Sequence, residues 1–145
     1  MKGAYVLVLR LVNDTDICIG KVGELHFKKG FYAYVGSALG TGGFKRVTRH
    51  FNVASGRNRT RKWHIDYLLP HSKVICAVLL QTDEALECTV AGTLGRFSEE
   101  IPGFGCTDCA CSTHLFFSET DLEDSIARTC SEFIENESII IRPHI

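Results

Sequence analysis

Apolar positions fall into short alternating runs at the start of the chain and into helical spacings later. Residues 4–12 are apolar and β-branched enough to predict a strand, and Asn13-Asp14-Thr15-Asp16 a turn. Residues 17–22 read as a second strand, Leu25-His26-Phe27 as a third, and residues 31–36 as a fourth after the Lys28-Lys29-Gly30 turn. Together they predict an antiparallel meander. A glycine-rich loop at 39–43 leads to Phe44, Val47 and Phe51, whose i, i+3, i+7 spacing predicts a helix with one buried stripe. Residues 54–61 form a polar, basic loop, and residues 63–69 a helix stopped by Pro70. A buried strand follows at 74–80. Thr82 is suited to cap a helix running to about Phe97, with Asp83 and Glu84 in its first turn. Residues 102–111 make a loop rich in glycine and cysteine, and residues 115–117 a short strand. Ser118 with Asp121 resembles a capping box for an acidic helix to about Glu135, and residues 139–141 read as an edge strand.

Length and composition narrow the picture. A chain of 145 residues is one domain and buries roughly 68% of its unfolded surface. Hydrophobic residues make up 45% and charged residues 23%, as in an ordinary globular protein, and no apolar run reaches the roughly 18 residues of a membrane span. No membrane partner is therefore expected. The first apolar stretch is too short for a signal peptide, and seven cysteines is an odd count, so a reduced, cytoplasmic setting is expected.

Charge changes the picture more. Residues 25–65 hold nine Lys or Arg and no acid, whereas residues 82–137 hold 13 of the 17 acids. A basic, acid-free stretch attracts phosphate backbones, which a net charge of −1 conceals. Within it Arg46 and His50 are i, i+4 on one helix and so share a direction. Tyr34 precedes Gly36 by two residues, and Tyr32 shares its strand face. A guanidinium can clamp two phosphate oxygens, and a phenol or imidazole can position or deprotonate a water. The plainer alternative is a core tyrosine beside a solvated basic helix face. Glu87 stands in register with Val90, Ala91 and Leu94, so its carboxylate leaves along the apolar stripe and needs a partner. A hydrated Mg²⁺ or a salt bridge to an arginine would serve, and Glu84 is a neighbouring alternative.

Gly3-Ala4-Tyr5, then Tyr34-Val35-Gly36-Ser37-Ala38, then Arg46-Val47-Thr48-Arg49-His50, then the helical Glu87 together resemble the GIY-YIG nuclease superfamily. The segments Arg61-Lys62-Trp63-His64-Ile65-Asp66-Tyr67-Leu68-Leu69 and Cys109-Ala110-Cys111-Ser112-Thr113-His114-Leu115-Phe116 resemble a branch catalogued as a domain of unknown function, found in archaea and bacteria and sometimes fused to endonuclease III. The likeness covers residues 2–117. It implies an α+β fold, with a small central antiparallel β-sheet flanked by helices. The spacing between Tyr5 and Tyr34 is longer than the family's usual one, so that residues 13–30 would be an extra N-terminal hairpin or, alternatively, a segment that rebuilds the cleft. Residues 1–117 would form the nuclease-like domain, with the C-terminal acidic helix and strand of residues 118–145 packed on it. The resemblance also implies metal-dependent phosphodiester hydrolysis, with DNA the expected partner. Tyr5 or Tyr34 would help activate water, Arg46 stabilise the pentacovalent phosphate, His50 assist proton transfer or phosphate contact, and Glu87 hold Mg²⁺ or Mn²⁺. A catalytically silent nucleic-acid-binding domain of the same fold is the alternative.

Three other signals stand apart. Arg57, Arg59, Arg61 and Lys62 alternate with polar residues and suit phosphate tracking, with Lys45 and Arg49 on the neighbouring helix. Trp63 is available for base stacking or for the core, and His64 for the cleft or for structure. Cys106, Cys109, Cys111 and His114 have ligand types that suit Zn²⁺ in a spacing unlike a usual finger; a thiol nucleophile and a packed cysteine loop are the alternatives. The acidic helix of residues 119–135 has only its charge to suggest a protein partner.

Overall fold

The computed structural model describes residues 2–102, 104, 113–133 and 138–143. Its centre is β1 (Gly3–Leu11), whose alternation sends Tyr5, Leu7, Leu9 and Leu11 to one face and Ala4, Val6 and Val8 to the other. Both sets are buried. Burying a Leu or Val side chain contributes roughly 1.5–3 kcal/mol, so a strand covered on both faces anchors the sheet. It pairs antiparallel with β4 (Gly30–Ser37) on one side and β5 (Lys73–Gln81) on the other. β2 (Thr15–Ile19) and β3 (Gly23–Phe27) pair only with each other. With β6 (Glu99–Ile101), β7 (Leu115–Ser118) and β8 (Ile139–Ile141), the main sheet is six-stranded and antiparallel in the order β6-β7-β4-β1-β5-β8.

Helices cover both faces. α1 (Lys45–Ser55) and α2 (Ile65–Leu68) lie on the Tyr5 face, together with Ile17, Ile19 and Phe27 of the small hairpin. α3 (Glu87–Leu94) and α4 (Glu123–Ser131) lie on the Ala4 face, through Val90, Ala91, Leu94, Ile126 and Cys130. α1 ends where Gly56 takes a left-handed conformation (φ 85°) and its N–H donates to Val53 O at 3.3 Å. Arg142 locks the end of β8 to α4 by a two-pronged bond to Glu123, at 2.9 and 2.8 Å.

The α+β architecture, the hairpin, α1, β5, β7 and the last edge strand agree with the sequence. Several expectations are corrected. The first four strands are not one meander: β1 reaches past the hairpin to β4. The second strand ends at Ile19 because Gly20–Val22 forms a 3₁₀ turn. The second helix starts two residues later than expected and ends at Leu68, just before Pro70 as expected. Pro70 itself lies in a following 3₁₀ turn, Leu69–His71, early enough that its missing N–H costs nothing. The third helix starts only at Glu87, because Thr82 Oγ1 accepts from Glu84 N at 3.1 Å and closes a local turn instead of a cap. Ser118 behaves likewise toward Thr120 N, at 3.2 Å, and α4 begins at Glu123, where Asp121 Oδ1 accepts the N–H at 2.9 Å. The short strand β6 was not expected from the sequence. Among the described residues no helix is long and apolar enough to cross a membrane.

Candidate active site

Strand alternation and helix spacing deliver the sequence's four principal residues to one place. Tyr5 is 1% exposed, and its hydroxyl lies 2.7 Å from Nε2 of His50, itself 1% exposed. The His50 ring meets Tyr34 edge-on at 6.1 Å and Trp63 at 6.0 Å between centroids. Burial pushes the pKa of His50 down to about 4; the Asp66 carboxylate opposes the shift, and Arg49 and Arg46 reinforce it. The ring is therefore neutral at pH 7. Burial, with Tyr34 adding, raises the Tyr5 hydroxyl well above its ordinary value against the pull of Arg46 and Arg49, so it keeps its proton. Whichever ring nitrogen carries the imidazole proton, Nδ1 of His50 has no hydrogen-bond partner among the described residues.

The two motif glycines are explained by close approach. A Cβ on Gly3 would run into the carbonyl oxygen of Leu80. Gly36 is the register partner of Tyr5, and a Cβ there would lie 2.7 Å from Tyr5 Cε2 and closer still to Cζ and the hydroxyl. Gly36→Ala is accordingly expected to cost about 1–3 kcal/mol of stability by overpacking and to push Tyr5 off His50. Urea unfolding in wild-type and Tyr5→Ala backgrounds checks this, because the cost should largely vanish once the ring is gone. An equal loss in both backgrounds would rule out the contact as its cause.

In front of the buried pair stands a group of cations. The guanidinium carbons of Arg46 and Arg49 lie 4.9 and 4.3 Å from the centroid of the Trp63 ring, and Lys62 Nζ lies 5.0 Å from it. Arg46 is exposed and donates from Nη1 to Ser37 O at 2.9 Å. Arg49 faces Asp66 with its fork, Nη1 to Oδ1 at 3.0 Å and Nη2 to Oδ2 at 2.9 Å. Asp66 is fully buried and also accepts from the backbone N–H of Lys62 at 2.7 Å and of Trp63 at 3.0 Å. Burial acts against its charge, but the Arg49 fork and the two N–H groups outweigh that and hold its pKa below the usual value. With His50 neutral, three cations face one carboxylate.

The remaining predicted residues are placed elsewhere. Lys45 is exposed at the start of α1, and Arg57, Arg59 and Arg61 are exposed on the loop leading to Lys62. That loop is pinned to α1 by Asn58 N donating to Asn52 O at 3.1 Å. His64 packs edge-on against the buried Phe104 ring at 5.9 Å. Trp63 is half-buried among cations rather than offered to a base. Glu87 opens α3, whose buried stripe packs on the sheet face opposite Tyr5; its Oε2 is buried with no hydrogen-bond partner among the described residues. It acts electrostatically on His114, which is 8% exposed and whose pKa burial lowers. Cys106, Cys109 and Cys111 lie outside the described residues, so of the expected zinc ligands only His114 is placed.

Asp66 is the site residue that sequence reasoning did not single out. A signal was there: it is the sole acid between Glu24 and Asp83, in the most basic part of the chain. A lone carboxylate among so many cations is positioned to organise one of them.

Fold and site define an α+β domain with a buried tyrosine–histidine pair behind a cationic rim. The chain belongs to the family described as Domain of unknown function DUF123, which matches residues 4–135 and thus takes in the small hairpin and α4 as well as the cluster. No curated protein and no solved structure matches the chain.

Proposed function

We propose that this cluster binds the backbone of a nucleic acid, DNA in the first instance, and hydrolyses its phosphodiester bond as a metal-dependent endonuclease of the GIY-YIG kind. The observation that carries the reading is the gathering of Arg46, Arg49 and Lys62 around one indole against a single buried carboxylate. Like charges held this close are stabilised by an anion. α1 adds to this: Lys45 and Arg46 occupy its first turn with no acid among them, against the helix dipole, and an anion there would relieve both. Arg46, exposed, clamps the phosphate and stabilises charge on the pentacovalent oxygens. Tyr34, half-exposed, orients the attacking water. The Tyr5–His50 pair stands behind it, and the 2.7 Å contact between the neutral imidazole and the Tyr5 hydroxyl holds that phenol in place for proton transfer at the site.

The carboxylate of the proposal for Mg²⁺ or Mn²⁺ is Glu87. It opens α3, which packs on the sheet face opposite Tyr5, and so stands outside the cluster. Its Oε2 has no hydrogen-bond partner among the described residues, which suits a hydrated ion that asks for one or two carboxylates and completes its shell with water. When bound, such an ion supplies Lewis-acid polarisation of a phosphate. A reduced, cytoplasmic setting belongs to the same proposal: Cys76 and Cys130 are buried thiols, not disulfides, and burial pushes both up to about 12.

The test is cleavage of labelled single-stranded, duplex, flapped and branched DNA, and of RNA, with Mg²⁺ or Mn²⁺. The wild type should cut at least one of them, and Glu87→Ala should bind it without cutting. A second reading, a silent nucleic-acid-binding domain, is favoured by the burial of Tyr5 and His50, both only 1% exposed. Salt-sensitive binding with no cleavage of any substrate would establish that reading instead.

A further inference from the structure

Asp66 makes four hydrogen bonds from a fully buried position, and each goes to something the candidate site depends on. Two hold the fork of Arg49, fixing its guanidinium 4.3 Å from the Trp63 ring centroid. Two hold the backbone N–H groups of Lys62 and Trp63, where the basic loop carrying Arg57, Arg59 and Arg61 joins α2. Arg49 projects from the same helix as Arg46 and His50, and Trp63 touches all three of these side chains. Asp66 is thus the joint between the helix that carries the reacting groups and the loop that carries the cations.

We propose that Asp66 is a positioning residue for phosphodiester cleavage, setting the Arg49–Trp63 stack and through it the alignment of the basic loop with Arg46 and His50. The inference rests on the nuclease reading above. Arg49 on this account does not grip the substrate; its fork is occupied by Asp66, while Arg46 and the loop cations have no carboxylate partner among the described residues. Asp66 also sets the electrostatic sign of the experiment. Removing its charge makes the cleft more positive, so an electrostatic role alone would leave substrate binding as tight or tighter and the rate unharmed.

Asp66→Asn separates these cases. The asparagine carbonyl, in place of Oδ2, can still accept from the Lys62 and Trp63 N–H groups and from Arg49 Nη2, while its NH₂, in place of Oδ1, faces Nη1 of Arg49 and breaks that prong of the fork. Trp63 is the only tryptophan in the chain, so its fluorescence reports the stack directly. Expected for Asp66→Asn are a shifted Trp63 emission with stronger acrylamide quenching, a kcat lower by about 10- to 100-fold, and a KM unchanged or lower. Arg49→Lys, which keeps the charge and loses the fork, should behave alike and serves if the asparagine variant does not fold. Unchanged Trp63 quenching in either folded variant, or an altered quench with a wild-type kcat, overturns the proposal while leaving the nuclease reading standing. A wild type that cuts none of the substrates overturns both.

Discussion

Arg46→Ala is expected to lower single-turnover cleavage by about 10²–10³-fold while the protein stays folded. The side chain is exposed; its hydrogen bond to the Ser37 carbonyl is worth about 1 kcal/mol net and its contact with the Trp63 ring roughly 0.5–1 kcal/mol, so the structural cost is modest. The functional cost is large because the two phosphate oxygens it would clamp gain charge in the transition state. Arg46→Lys should recover only part of the rate, since an ammonium restores the charge but not the fork. Loss of one phosphate contact should also reduce the salt slope of binding by about one in Arg46→Ala, and leave it unchanged in Arg46→Lys, which keeps the charge. A wild-type rate in Arg46→Ala would remove this guanidinium from the chemistry and, with it, the main support for hydrolysis at the cluster.

Acid should unfold the protein through the same site. An unfolded histidine takes up a proton near pH 6.5, whereas folded His50 stays neutral down to about pH 4. Between those values the unfolded chain binds more protons, so stability rises with pH and is lost as pH falls through this window. The full extent for one such group is about 3 kcal/mol. His114, whose pKa burial also lowers against the opposing pull of Glu87, adds in the same direction. Asp66, whose folded pKa is depressed, contributes stability that is present above the unfolded carboxylate value and lost as pH falls through its folded value. Urea unfolding at pH 7, 6, 5 and 4 measures the slope, and His50→Gln should flatten it. Parallel slopes for wild type and variant would mean that His50 does not carry the linkage.

What the chain reveals unaided follows from how far apart the cooperating residues are. β1 and β5 are long apolar runs, and α1 shows its stripe within eleven residues, so each is legible from its own stretch. Tyr5, Tyr34, Arg46 and His50 meet because the period of a strand and that of a helix point them at one another. β6 is three residues, two of them glutamate, and becomes a strand only because β7 offers an edge. Thr82 and Ser118 were ambiguous for a related reason: a hydroxyl that can cap a helix can close a local turn equally well. The Arg49–Asp66 fork joins positions 17 apart through a loop whose path no local pattern specifies. Asp66 shows in composition, as an isolated acid, and acquires a partner only in three dimensions.

The pairing of β1 with β4 across an intervening hairpin bears on how quickly the chain folds. Leu11 and Gly30 are register partners, yet the whole of β2 and β3 lies between them in sequence. Closing a loop of that length costs conformational entropy before any central contact repays it. β2 and β3 pair with each other, and hairpins form in about 1–10 μs. Once zipped, they draw their own ends together and shorten the effective loop that β1 and β4 must close. The hairpin is thus also a local fold that lowers the entropic barrier to assembling the strand pair on which Tyr5 and Tyr34 are mounted.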